Sequence, residues 1–185
     1  MRDFVASKDK PVEGDFHTRE CGLFAEHYAW LQRESGQMVP PRKAFNPSQA
    51  RALLPYISLA EIRGPRFVFV RLVGTNTVNR THIDSTGRNL IEMLPEHMRE
   101  WSWGQLVHVT ETPCGLTFLC KEDYEHVSLW VEVLSFPLAD ADGAPRFILT
   151  LAAEVDRQKL ALRGDQAMQI GEHTNYRYID IGCGT

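Results

Sequence analysis

Residues 116–155 read LTFLCKEDYEHVSLWVEVLSFPLADADGAPRFILTLAAEV, and their alternation decides the fold. Leu116, Phe118 and Cys120 alternate with Thr117, Leu119 and Lys121. Leu129 to Leu138 alternates until Pro137 interrupts it, and Phe147 to Val155 forms a third run. A period of two marks a strand with opposed faces. Asp140-Ala-Asp-Gly143 separates the last two runs and predicts a hairpin, since Asp and Gly tolerate the backbone that tight turns demand. Three strands in sequence order make an antiparallel meander.

Upstream, Pro95 opens a helix that runs to about Thr112 and carries Met98, Trp101, Leu106 and Val109; Pro113 and Gly115 end it. Before it, Gly74 marks a change of period, Thr75 to His82 reads as a short helix, Asp84-Ser-Thr-Gly87 as a turn, and Asn89 to Leu94 as another helical turn. Two further strands come first: Tyr56 to Ile62, then Arg66 to Val73 after the Gly64-Pro65 turn. Both faces of the second strand are apolar, which predicts a central strand covered on both sides. Asn46-Pro47 reads as the capped start of a short helix ending at Pro55. From about Glu20 to Ser35, Leu23, Phe24, His27, Tyr28 and Leu31 fall on one helical stripe, with Trp30 beside them and Gly36 as the stop. The order predicts an α+β fold: a five-stranded antiparallel sheet, order 2-1-5-4-3, with helices on one face and a flanking N-terminal helix. The expected divisions are an arm and flanking helix at 1–41, a domain at 42–155, and a tail at 156–185 whose strand-like residues have no evident partner.

The chain has 185 residues, 43% hydrophobic and 24% charged, with a formal net charge of −4. That length can bury one sizeable core without staples. Mild acidity argues against nucleic acid as a partner. No apolar run reaches the roughly 20 residues of a spanning helix, and residues 1–15 lack the apolar core of a signal peptide, so no membrane partner and a cytoplasmic location are expected. Cys21, Cys114, Cys120 and Cys183 form no CxxC pair and match no zinc spacing, so no metal site is expected and the thiols read as free.

Particular motifs carry a resemblance to a known family. They are Leu54-Pro55 before the first strand, Phe69-Val-Arg71-Leu-Val-Gly-Thr75, Asp84-Ser-Thr-Gly-Arg88-Asn-Leu90 and Phe136-Pro-Leu-Ala-Asp-Ala-Asp-Gly143. With the element order, residues of about 26–155 resemble the short stand-alone bacterial PAS domain proteins. The resemblance implies a sensory or protein-interaction module and leaves the ligand open. It also implies a cavity between sheet and helices, walled by Phe69, Arg71, Val78, His82, Met98, Trp101, Trp103, Phe118, Trp130 and Leu149, with Arg88 a further candidate contact. A core filled by its own aromatic side chains is the alternative.

Arg71 is the unusual strand residue, because Phe69 and Val73 flank it and a buried guanidinium needs a partner. Two readings stand: a brace to Asp84, or an anchor for a carboxylate or phosphate. The resemblance implies that a haem, if one were bound, would be held by a histidine on the long helix, where His97 and His108 fall. His97 lies in the first turn and is expected to face water, so haem is not expected. No Asn-Cys-Arg run of flavin photosensors occurs in 75–83, so neither is a flavin.

The rival class is a small α+β enzyme of isomerase or hydratase type, which needs a cavity carboxylate of tuned pKa. Glu132 and Glu154 are its mid-strand candidates, and both are expected on the solvent face. No phosphate loop, HExxH or Gly-x-Ser-x-Gly occurs, so no catalytic residue is assigned. With no output segment recognised, the module is expected to act through a signalling protein partner, a small-molecule ligand or both. The stripe Leu23, Phe24, Tyr28 and Leu31 is expected to form a homodimer interface; its alternative is to fold back on its own sheet.

Overall fold

The computed structural model describes residues 16–124, 127–155 and 173–184. Helix α1 (Arg19–Ser35) leads into short 3-10 turns, then β1 (Ile57–Gly64), β2 (Phe67–Leu72), α2 (Thr75–Thr81), α3 (Leu90–Met93), α4 (Glu96–Glu111), β3 (Cys114–Tyr124), β4 (Val127–Ala139), β5 (Pro145–Glu154) and β6 (His173–Asp180). All neighbouring strands are antiparallel, in the order β2-β1-β5-β4-β3-β6. The expected order is therefore present, extended by one strand. β6 lies along β3, with Gly115 opposite Ile179 and Leu116 opposite Tyr178. The segment read as an unpartnered tail thus supplies a strand, while residues 1–15 and 156–172 lie outside those described.

Each strand sorts its residues to two faces. The inner face carries Leu116, Phe118, Ile148 and Ile62, and α4 covers it with Leu106 and Val109. The outer face carries Ile57, Leu59, Leu134, Phe136, Leu138, Leu149 and Leu151, and α1 lies over it. Thr18 caps α1, its Oγ1 accepting from Cys21 N at 3.2 Å, and Gly36 ends it at φ 66°, a conformation glycine adopts freely.

This docking corrects the expectation of a dimer stripe. Phe24, Tyr28 and Leu31 are at most 1% exposed within the single chain. The Tyr28 ring stacks on Phe136 at 4.2 Å, and its hydroxyl donates to Pro137 O at 2.8 Å. Only Leu23 of the four remains half-buried. Burial of such side chains is worth about 1.5–3 kcal/mol each, and the apolar outer face lay within reach of the connector. The fold-back alternative is the one the structure adopts.

The assignment of β2 as a central strand is also corrected. It is an edge strand, with Phe67 and Leu72 exposed. Its free side is covered by the segment after α2. Val68 N donates to Asn89 Oδ1, Asn89 Nδ2 to Arg66 O, Val70 N to Arg88 O, and Gly87 N to Val70 O, at 2.8–3.1 Å. An apolar run on both faces fits a central strand, but here a loop supplies the second neighbour.

Candidate functional site

Helix α4 lies over the inner face of the sheet. α4 has sixteen residues, yet only Met98 and Val109 are buried. Between it and the β3–β6 edge sit half-buried aromatic rings: Trp101 meets Phe118 edge-on at 5.8 Å, and His108 lies 4.4 Å from Tyr178; the exposed Tyr176 ring lies 6.2 Å from Trp101 at the rim. The Tyr178 hydroxyl donates to Gln105 Oε1 at 2.6 Å, which fixes that ring against the helix. Trp103 is half-buried on the same helix.

Polar groups close the other end. α2 sends Arg80 across to Glu122 on the inner face of β3. Nε and Nη2 reach the two carboxylate oxygens at 2.7 and 3.3 Å, with the arginine side chain 5% exposed. A two-pronged pair of this kind fixes both side chains. The Cys120 thiol, beside them on β3, is pushed up to about 12 by burial and by the Glu122 charge, so it stays protonated at neutral pH. Two buried atoms on the covering helices, Thr77 Oγ1 and His108 Nε2, have no hydrogen-bond partner among the described residues. Buried polar atoms are nearly always bonded to something, so such orphans mark where a polar group is to be supplied.

The expected cavity residues divide between the faces. Trp101 and Phe118 come together on the inner face. Phe69 and Arg71 lie on the opposite one: Arg63 stacks 3.8 Å over the Phe69 ring, and Arg71 binds Glu61 at 2.6 Å. Arg71 is 41% exposed, so both its burial and its brace to Asp84 are corrected. The carboxylate that answers it is its cross-strand neighbour, and Asp84 instead accepts from Thr86 N at 2.9 Å, which with the exposed Thr86 hydroxyl holds its carboxyl below the ordinary range. Leu149 belongs to the outer cluster, and Trp130 shares the strand face of Glu132. His82 is exposed and closes α2 at φ 57°, and Arg88 is exposed.

Glu132 is the largest surprise. It is 2% exposed, not solvent-facing, because α1 covers it. Its carboxylate accepts from His17 N at 2.9 Å, Thr18 N at 2.8 Å and Thr18 Oγ1 at 2.7 Å. With three donors satisfied and the face turned away from α4, it is a docking point for the helix. Glu154 is exposed, as expected. The inner-face carboxylate is Glu122, which alternation along β3 could have revealed; the orphan atoms of Thr77 and His108 had no signal in the sequence.

Among the described residues, no helix is long and apolar enough to cross a membrane. A family model described as a PAS domain matches residues 18–152. No curated protein matches the chain significantly. Similar solved structures include the PAS domain of a protein from Colwellia psychrerythraea, 10% identical over 58% of this chain and 94% of that one, TM-score 0.45. A LOV protein of Rhodobacter sphaeroides is 12% identical over 61% and 70%, TM-score 0.44. A sensory box sensor histidine kinase from Vibrio cholerae is 16% identical over 59% and 89%, TM-score 0.41.

Proposed function

The chain belongs to the PAS domain family, and from that premise we propose that it is a cytoplasmic sensory module that binds a small molecule against the inner face of its sheet and passes the signal to a separate protein. The observation that carries this is the pair of buried, unpartnered atoms, Thr77 Oγ1 and His108 Nε2, on the two helices over that face. A ligand with a hydrogen-bonding edge satisfies them, while Trp101, Phe118 and Tyr178 supply a half-buried aromatic wall for its apolar body. The bound species is neither haem nor flavin, and the module performs no turnover: Glu132 is held by α1, and Glu122 by Arg80.

The test is native mass spectrometry of the purified full chain, with a thermal-shift screen of small aromatic and heteroaromatic compounds. An added mass, or a compound that stabilises the protein and loses its effect in the Thr77→Val, His108→Leu double variant, is the expected result. A bare mass together with no stabilising compound overturns the reading. An absorption spectrum without a Soret or flavin band is expected; either band overturns the ligand class.

A further inference from the structure

Strand β6 is held differently from the other strands. Each of β1 to β5 carries buried side chains, whereas no described side chain of β6 is buried. Thr174, Tyr178 and Ile179 are half-buried, and Asn175, Tyr176, Arg177 and Asp180 are exposed. Its ladder with β3 is also interrupted, since the register shifts between Thr117 and Leu119, beside Asn175 at φ 54°. A strand that buries so little gains little hydrophobic stabilisation, and segments with few buried apolar contacts open at lower cost than the core.

Besides the ladder, a short set of contacts keeps β6 in place. The Tyr178 hydroxyl donates to Gln105 Oε1 at 2.6 Å, and Gln32 Nε2 donates to Ile181 O at 2.9 Å just past the strand. Ile179 lies over Gly115, where an added Cβ would come within 3.1 Å of the isoleucine Cβ. Neutral bonds of this kind are individually modest. The same strand closes the inner-face wall: Tyr178 stands against His108 on α4, and Tyr176 lies at the rim beside Trp101.

We propose that β6 is a strap, which leaves the edge of β3 as a unit while β1 to β5 stay paired, and whose departure opens the inner-face wall from the side of β3. Tyr176 and Tyr178 leave with it, which uncovers one side of Trp101 and His108. A small molecule that touches Tyr178 does so only while β6 is docked, so its binding holds the strap shut. That last consequence rests on the inner-face reading above.

Hydrogen exchange of the full chain, read by mass spectrometry, follows the strap without any ligand. Peptides from β6 are expected to exchange about tenfold or more faster than those from β4 and β5. Tyr178→Phe keeps the ring and removes its bond to Gln105. It is expected to speed β6 by roughly two- to tenfold, the scale of one neutral hydrogen bond, and to leave β4 and β5 unchanged. A β6 as protected as β4 and β5, or a variant that leaves β6 unchanged or speeds all three strands alike, overturns the strap. Entry is read by locking it. Cys114 and Asp180 are direct partners across β3 and β6, and antiparallel partners bring their Cα atoms to roughly 4.5–5.5 Å, within the span of a disulfide. In an Asp180→Cys, Cys183→Ser variant, glutathione disulfide closes that bridge by exchange, releasing two molecules of glutathione. Cys120 stands opposite His173 at the start of β6 and reports access to the inner face. Iodoacetamide is expected to alkylate it about tenfold or more slowly in the bridged variant than in the reduced one, with Cys21 under α1 equally slow in both. Equal alkylation of Cys120 in the two forms overturns the role in entry, and a pair that does not bridge contradicts the register on which the strap rests. None of these readings uses a ligand, so the Thr77 and His108 screen is judged separately.

Discussion

Glu132 shows how one side chain can hold an element in place. Its carboxylate gathers two backbone N–H groups and the Thr18 hydroxyl at the start of α1. Glu132→Ala leaves them without an acceptor under the helix and is expected to cost about 3 kcal/mol in urea denaturation. Glu154→Ala, on the exposed end of β5, should stay within about 0.5 kcal/mol. Arg71→Ala should cost no more than about 1 kcal/mol, because its pair with Glu61 is open to solvent. His27 carries a pH dependence. It is fully buried between Trp30 and Phe45, and burial lowers it from 6.5 to about 4. Above pH 6.5 it is neutral in both states and contributes no slope. As pH falls from 6.5 to about 4 the unfolded chain takes up the proton first, so stability declines, by up to about 3 kcal/mol, and the decline stops below pH 4. Denaturation midpoints across that window should slope in the parent chain and flatten in His27→Phe. Alternation along β2 and β4 showed which side chains share a face. It did not show which helix covers that face, which is why Arg71 was read as buried and Glu132 as exposed.

α1 is an integral layer of the domain. Leu31→Glu is expected to abolish the near-ultraviolet signal and the cooperative transition of the whole chain, since the charge would enter the outer core. A folded monomer released from a dimer would contradict this packing. Gly74 precedes α2 so closely that a Cβ there would run into the Pro55 carbonyl; Gly74→Ala should therefore destabilise the domain, seen as a lower melting temperature with unchanged helix content in the residual fold. The elements from β1 to β5 were legible because each has its own period and is bounded by Gly or Pro. Pro95 and Pro113 framed α4, and Asp140 to Gly143 framed the last hairpin. β6 was not legible as a strand of this sheet: its residues had the composition, but its pairing with β3 spans a long separation that no local pattern records. The outer packing of α1 was legible only as one of two alternatives, because an apolar stripe states that it must be covered and not by what.

At the scale of the molecule, the sheet separates two tasks. Its outer face is filled by α1, and its inner face keeps the half-buried aromatic rings, the Arg80–Glu122 pair and the orphan atoms. The candidate site was legible in part. Trp101 and Phe118 meet under α4, while Phe69, Arg71 and Trp130 lie on the opposite face because one strand register decides the face of every residue on it. The same sheet ends differently at its two borders. On β2, the segment from Gly87 to Asn89 occupies outward backbone groups that would otherwise stand ready for another chain. On β6, Asn175 at φ 54° lies beside the register shift opposite Thr117 and Leu119, so that border is bent and not straight. Neither border offers a flat template, and that is a defence against runaway self-addition in a crowded cell. Asn89→Ala withdraws the defence at β2, baring Val68 N and Arg66 O; the variant is expected to form thioflavin-binding fibrils sooner than the parent at equal concentration, and an unchanged lag time would mean that the backbone of residues 87 and 88 is sufficient to blunt the border.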